Sequence, residues 1–282
     1  MKTIDLHTHT TASDGTLTPS ELIAYAAEKG LCAIAITDHD TTEGIAEALF
    51  AAEGRELEVI PGIEISSMYD RLEIHIVGLF IDPENTSLLE WLTALRQSRE
   101  ERNKKMLAAL SDMGIEINYN ELSEFAAGSI ITRAHFAGIM LKKGYITSIN
   151  EAFDRLIGNR CPAYIPRELP DYKTSINMIR SAGGIAVLAH PLLYKINTKG
   201  LENMVSELAA ASLTGIEAYY STHSPSDTKY IKRLAQQNRL LLSGGSDFHG
   251  SNKKNLDLGT GYGTLAVPAD LIDTLKGALK NG

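Results

Sequence analysis

The sequence predicts an α/β fold, a barrel-like or doubly wound parallel sheet carrying an inserted helical lobe, and three observations carry that expectation. Short apolar runs rich in Ile, Val and Leu alternate with stretches of helical periodicity, the pattern of βα units. About seven such runs are separated by enough chain for crossover helices. The alternation lapses between roughly 85 and 175, where the chain is helical and charged and holds its one tryptophan, Trp91. A length of 282 residues suits one large domain with an added lobe better than two full ones.

Taken in order, KTIDL (2–6) reads as the first strand. PSELIAYAAEKG then reads as a helix, with Thr18 as N-cap, Pro19 and Glu21 in its first turn and Gly30 at its end. The next strands are LCAIAIT (31–37), which places Cys32 in the core, LEVIPGIEI (57–65) and EIHIVGLF (73–80). Beyond the lobe come GIAVLA (184–189), TGIEAY (214–219) and LLLSG (240–244). Within the lobe Leu92, Leu95, Met106, Leu110 and Met113 trace one helical stripe. Arg99 and Arg102 fall on that stripe where it should have stayed apolar. Internal repeats and low-complexity tracts are absent from the sequence.

Composition narrows the classes of function. Hydrophobic and charged contents of 44% and 22% are those of a soluble globular protein. A net charge of −8 opposes nonspecific binding to a nucleic-acid backbone, so an anionic substrate needs a local positive site. The opening MKTIDLHTHT lacks a signal-peptide pattern, and no apolar run is long enough to span a bilayer. Cys32 and Cys161 form neither a disulfide framework nor a zinc knuckle, which suits a reducing cytoplasm. A cytoplasmic protein with no membrane contact and no obligate protein partner is the expectation.

Six of the eight histidines stand at related places in the predicted strands. His7 and His9 follow the first strand, two residues apart and so on one side of an extended chain. His39 follows the second within TDHD, Glu64 ends the third, and His75 lies in the fourth. His190 follows the fifth within AHP, and Asp247 and His249 follow the seventh within GSDFH. Parallel α/β folds bind ligands outside the carboxyl ends of their strands, so these groups should converge. Convergent imidazoles and carboxylates suit borderline divalent metals. One isolated histidine would read as a satisfied core or surface residue; the ordered set reads as a metal site.

HTHTTASDG, ITDHDT, PGIEIS, EIHIVG, LAHP and SDFHG, in that order, resemble the PHP (polymerase and histidinol phosphatase) superfamily. The resemblance implies a distorted (β/α)7 barrel built from 1–85 and 175–282, with 86–174 as a helical insertion forming a substrate lid. It also implies nine ligands. His7, His9, Glu64 and Asp247 would hold one divalent ion, and Asp14, His39 and His249 a second. A third would lie between Glu64, His75 and His190. Asp14, His39, Glu64 and His249 are the expected catalytic centre. Two or three ions are implied; nitrogen-rich ligation favours manganese over magnesium and leaves zinc and iron open. Asp38 and Asp40, flanking His39, are read as acceptors for metal-bound imidazole N–H groups, or as turn residues.

Charge separates substrate classes. Two or three divalent ions outweigh the carboxylates of Asp14, Glu64 and Asp247, and the surplus suits a phosphoryl group better than a neutral amide. Such ions lower the pKa of a bound water to roughly 7. The insertion, with TRAH and YIPRE, resembles the branch of PHP phosphoesterases that act on nucleoside 3′,5′-bisphosphates, some of which trim RNA from its 5′ end. Arg99 and Arg102 are read as a phosphate clamp, or else as a solvated stretch paired with Glu100 and Glu101. Arg133 and His135, after Thr132 as N-cap, mark a further anion site at a helix start, with Arg167 a weaker candidate. His223, after the sixth strand, is a candidate for substrate contact or a structural loop residue. The GGSD and SAGG glycines lack a Walker ending, and Ser243 and Ser246 lack a nucleophile elbow.

The reading is hydrolysis of a small phosphorylated nucleotide, a 3′,5′-bisphosphate giving the 5′-monophosphate, with short 5′-phosphorylated RNA as a compatible substrate. Its rivals are a histidinol-phosphate phosphatase, an amide or cyclic-phosphate hydrolase, and a non-catalytic metal-binding or regulatory module.

Overall fold

The computed structural model describes residues 2–126 and 130–279. Strand β1 (Thr3–Asp5) leads to helix α1 (Pro19–Glu28), β2 (Ala33–Ile36), α2 (Ile45–Ala51) and the hairpin of β3 (Glu58–Tyr69) and β4 (Leu72–Leu79). The lobe follows as α3 (Thr86–Asp112), α4 (Tyr119–Phe125), α5 (Arg133–Lys142), α6 (Ile149–Ala152) and a π-turn at Phe153–Ile157. The chain resumes with α7 (Tyr172–Ser181), β5 (Ile185–Leu188), α8 (Thr198–Ala210), β6 (Gly215–Tyr220), α9 (Pro225–Asn238) and β7 (Leu241–Gly245). It ends with β8 (Val267–Pro268) and α10 (Leu271–Leu279). The α1 start is as its sequence implies: Thr18 and Glu21 form a reciprocal capping box before Pro19.

The strands lie in the order β7-β6-β5-β4-β3-β2-β1-β8. The sheet departs from the all-parallel expectation, because β4 runs antiparallel to both β3 and β5, and β8 runs antiparallel to β1. The tight turn at Asp70 (φ 53°) folds β3 directly onto β4, so no crossover helix intervenes. The reversal also changes how His75 reaches the site: it comes from the start of an antiparallel strand, paired with Ser66, rather than from a carboxyl end.

The sheet nearly closes into a barrel where the chain beyond β1 meets β7. The Leu6 N–H donates to the Gly244 carbonyl (3.1 Å), Asp247 N–H to His7 (2.8 Å) and His9 N–H to Phe248 (2.9 Å). Gly245 permits that approach, since a Cβ there would fall 2.4 Å from the His7 nitrogen. Asp5 fastens the same seam by accepting from the backbone of Ser246 (2.8 Å) and Gly259 (2.9 Å).

Alternating strand residues divide the apolar interior. Ile4, Leu6, Ala33, Ala35, Ile60, Val77 and Val187 gather with Ile272 and Leu275 of α10. Ile34, Ile36, Ile63 and Leu188 face the surrounding helices instead. Cys32 is half-buried at the edge of the first group, rather than a core residue. A separate cluster of Met106, Leu110, Leu122, Phe136, Met140 and Ile157 holds the lobe. Helix α3 serves both, with Leu88 and Leu92 packed on the barrel and Met106 and Leu110 in the lobe. Between the two, Arg99, Arg102 and Asn103 are buried. Met113 leaves the expected stripe: it caps α3 and is 42% exposed.

Candidate active site

Strands and the loops that follow them bring the predicted ligands together around Glu64, which lies within β3 rather than at its end because the strand runs on to Tyr69. Glu64 Oε2 lies 3.3 Å from His7 Nε2, 3.2 Å from His9 Nε2 and 3.0 Å from His39 Nδ1. Its Oε1 lies 2.8 Å from His75 Nδ1 and 3.1 Å from His190 Nε2. Asp247 Oδ1 stands 3.4 Å from His9 Nε2 and 3.3 Å from His249 Nδ1, and Asp14 Oδ1 stands 3.3 Å from His249 Nε2. Three groups are compact enough to surround an ion: His7, His9 and Glu64; His9, Asp14, His39 and His249; and His39, Glu64 and His75. His9, His39 and Glu64 each belong to two of these groups, and Asp247 and His190 flank them, in contact with His9 and Glu64 respectively. Asp247 directs only Oδ1 at the imidazoles, its Oδ2 being taken by the Tyr220 hydroxyl (2.7 Å) and Lys253. Asp247 (φ 56°) and His190 (φ 28°) both occupy backbone conformations that non-glycine residues avoid.

These side chains fit divalent ions on their own chemistry. His7 Nε2, His9 Nε2, His39 Nδ1 and His190 Nδ1 are buried and without a hydrogen-bond partner. Buried polar atoms are rarely left so. Burial strips protons from His190 and His249, the latter down to about 4, whereas at His75 and His9 the nearby carboxylates outweigh burial and hold them up at about 10 and about 9. Burial works against the charge of Glu64 and Asp14 too, yet the surrounding imidazoles, His39 first, keep both carboxyls well below their ordinary range. The basin therefore attracts positive charge, and its donors are nitrogen and carboxylate oxygen, the set that borderline divalent metals take.

Sequence reasoning passed over Glu217, in the middle of β6. It is buried, its Oε1 is 2.8 Å from His7 Nδ1, and its Oε2 accepts the His190 N–H at 2.6 Å. Carboxylate support of a ligand imidazole fixes the tautomer, leaving His7 Nε2 free to coordinate. The signal was present: an acid flanked by apolar residues in GIEAY repeats the setting of Glu64 in GIEIS.

Beside the basin lies a cavity of about 250 Å³, sharing Asp14, His39 and His75 as one wall. Arg71, Arg99, Arg102, Arg133 and Arg167 line the rest with Thr132, Phe153 and Tyr164. Burial, then the Arg99, Arg167 and Arg133 charges, push Arg102 down to about 9. Arg133 donates to Asn159 (3.2 Å), lies 3.6 Å from Glu73 and sits over the Tyr164 ring. Arg99 and Arg102 are thus turned inward rather than solvated, and Glu101 pairs with Lys104 instead.

Asp38, Asp40, His135 and His223 have these surroundings, and for Asp38 and His223 they fit the turn and loop roles that the sequence left open. Asp38 accepts from Thr10 N–H (2.7 Å), Thr10 Oγ1 (2.7 Å) and Ser13 Oγ (2.6 Å), shaping the loop that carries His9 and Asp14 and touching no imidazole N–H. Asp40 receives Arg99 and Arg167. His135 commits Nδ1 to the Thr132 N–H at 3.0 Å, completing the capping box of α5, and is not among the cavity-lining residues. His223 sits against the Tyr220 ring with Nδ1 3.1 Å from the Ala218 carbonyl, so it is linked to the basin through Tyr220.

Comparison with known proteins agrees with this geometry. The PHP domain family matches residues 5–255. The chain is 36% identical over 247 residues to the 5′-3′ exoribonuclease Rnm of Escherichia coli, covering 87% of this chain and 84% of that one. It is 35% identical to the 3′,5′-nucleoside bisphosphate phosphatase of Chromobacterium violaceum, covering 92% and 91%. A solved structure described as an amidohydrolase from Chromobacterium violaceum with bound sulfate and no metal superposes with a TM-score of 0.88 at 32% identity, covering 98% and 96%.

Proposed function

This chain belongs to the PHP domain family and is a phosphoesterase, and on that premise we propose that it removes the 3′-phosphate of a nucleoside 3′,5′-bisphosphate. Trimming of short 5′-phosphorylated RNA from its 5′ end follows from the same chemistry, because a 5′-terminal nucleotide presents the same groups. The observation that carries the reading is the arginine-lined cavity opening onto the ligand basin through a shared wall. Two adjoining volumes of opposite charge demand suit a substrate with two phosphates, one at each.

In this reading His7, His9, Glu64 and Asp247 hold one divalent ion, Asp14, His39 and His249 a second, and Glu64, His75 and His190 a third, with manganese the first choice. Bound there, such ions acidify a water and neutralise charge on the phosphoryl group. Glu64 joins the groups because its two oxygens face different imidazoles. Glu217 orients His7, and Asp38 shapes the loop of His9 and Asp14. Arg99, Arg102, Arg133 and Arg167, with Thr132 at the start of α5, receive the second phosphate by charge-assisted hydrogen bonds. The 86–174 lobe acts as the lid, since Arg99, Arg102, Arg133 and Arg167 all come from it. A 250 Å³ cavity lies below the range of about 300–1,000 Å³ usual for drug-sized ligands, which fits one nucleotide with part of it outside.

The relative described as an amidohydrolase binds sulfate, which is tetrahedral like phosphate. The test is turnover by the Mn²⁺-loaded protein of nucleoside 3′,5′-bisphosphates, histidinol phosphate, short 5′-phosphorylated RNA and a neutral amide. Preference for the bisphosphate, with competition by inorganic phosphate, is the expected result. Preference for histidinol phosphate or for the amide overturns it.

A further inference from the structure

Asp40 stands next to His39 yet faces away from the imidazoles, and it joins the basin to the cavity. It is 2% exposed and holds a left-handed backbone at φ 52°. Its N–H donates to the Glu64 carbonyl at 2.9 Å, which fixes it to β3 beside the central carboxylate of the basin. Its Oδ1 accepts the Ser66 N–H at 3.3 Å. Its Oδ2 takes both Arg99, from α3, and Arg167 at 2.8 Å, from the chain returning to the barrel. The two arginines enter from opposite ends of the lobe, so one carboxylate ties both of its connections to the metal-side scaffold.

The pairing leaves donors over. Arg99 Nε, Arg167 Nη2 and Arg102 Nε are buried without a partner, and all three residues line the cavity. A guanidinium has five N–H donors in a fixed fork, and Asp40 satisfies only part of two such forks. Glu73, also on the cavity wall, supplies a second negative charge that acts on Arg99 and Arg102, but it makes none of the hydrogen bonds that these unpartnered N–H groups lack.

We propose that Asp40 is a positioning residue for substrate recognition: it holds Arg99 and Arg167 as a pre-formed receptor for the non-reacting phosphate at a fixed separation from the metal basin. This rests on the phosphate reading of the cavity. Pre-organisation of this kind raises affinity by removing the ordering cost from the binding step. It also makes Asp40 a determinant of specificity, because a substrate without the second phosphate gains nothing from it.

The experiment compares wild type and Asp40→Asn, both Mn²⁺-loaded, on a nucleoside 3′,5′-bisphosphate and the matching 3′-monophosphate. The readout is the ratio of kcat/KM between the two substrates, with metal content measured after dialysis. The expected result is a fall of about tenfold or more in that ratio, carried by KM for the bisphosphate, with metal content at the wild-type level. A ratio that stays at the wild-type value overturns the inference. So does an equal loss on both substrates accompanied by metal loss, which assigns Asp40 to the fold of the basin alone. Should the Asn variant fail to fold, Arg167→Lys keeps the charge beside Asp40 but removes the second donor arm, and the same selective fall is expected. A wild-type enzyme with no bisphosphate preference defeats the phosphate reading first, and this inference with it.

Discussion

The basin and the cavity share a wall and have opposite chemistry. In the basin, carboxylates outcompete burial for the protons of His9 and His75, so cations are in demand. In the cavity, five arginines face Glu73, and buried N–H groups of Arg99, Arg102 and Arg167 have no partner, so an anion suits it. In the proposed reading, barrel and lobe hold complementary parts of one site, the barrel supplying the reacting centre and the lobe supplying the address. Asp14, His39 and His75 belong to both volumes.

The largest effect is expected at the centre of the basin. Glu64→Gln removes the charge that faces five imidazoles, and activity should be abolished with loss of bound metal, measured by elemental analysis after dialysis. Near-normal turnover would sink the assignment of Glu64 as the residue joining the ions. Next comes Glu217→Gln, which keeps shape while removing the charge behind His7 and His190. Residues that support a metal ligand in this way typically contribute about 10- to 100-fold in metal affinity or activity. Calorimetric titration with Mn²⁺ should show a loss of that order, and an unchanged affinity would reduce Glu217 to packing.

On the cavity side the effect should move from metal to substrate. Arg133→Ala is expected to raise KM for bisphosphate substrates by about tenfold, the ~1.4 kcal/mol scale of one charge-assisted contact, with metal content unchanged. Steady-state kinetics on bisphosphate and monophosphate decide it, since an unchanged KM takes α5 out of recognition. If Arg133→Ala instead lowered metal content, the division between the two regions would itself fail.

The two regions also differ in how much of them the sequence revealed. Much of the basin was legible because His7, His9, His39, His190, Asp247 and His249 follow strands, and strand ends are marked by apolar runs that stop at polar residues, although Glu64 and His75 turn out to lie within β3 and β4. Even there the direction of β4 was hidden: alternation says that 72–79 is extended, not which way it runs. The two-residue β8 is too short to leave a pattern. In the cavity, Arg99 and Arg102 were visible as breaks in an apolar stripe, but their partner was not. Asp40 lies 59 positions before Arg99 and 127 before Arg167, and no local rule relates them. The reading of Asp40 as an imidazole acceptor followed from nearness in sequence to His39, and tertiary packing overrode it.

The smallest effect tests whether the helix that carries Arg133 contributes through its terminus or through its side chains. Thr132 accepts the Ala134 N–H at 3.2 Å, and its own N–H donates to His135 Nδ1. Thr132→Ala removes the hydroxyl cap while keeping the backbone donor and Arg133. Loss of such a cap lowers stability by about 1 kcal/mol, which urea unfolding should register as a lower midpoint at constant m-value. Thr132 also lines the cavity, so a modest rise in KM for the bisphosphate should accompany it, smaller than that of Arg133→Ala. A rise as large as the arginine variant's would place recognition in the α5 terminus and its N–H groups, with Arg133 serving mainly to orient Tyr164 and Asn159. A stability loss with no change in KM would leave the guanidinium groups as the whole of the address.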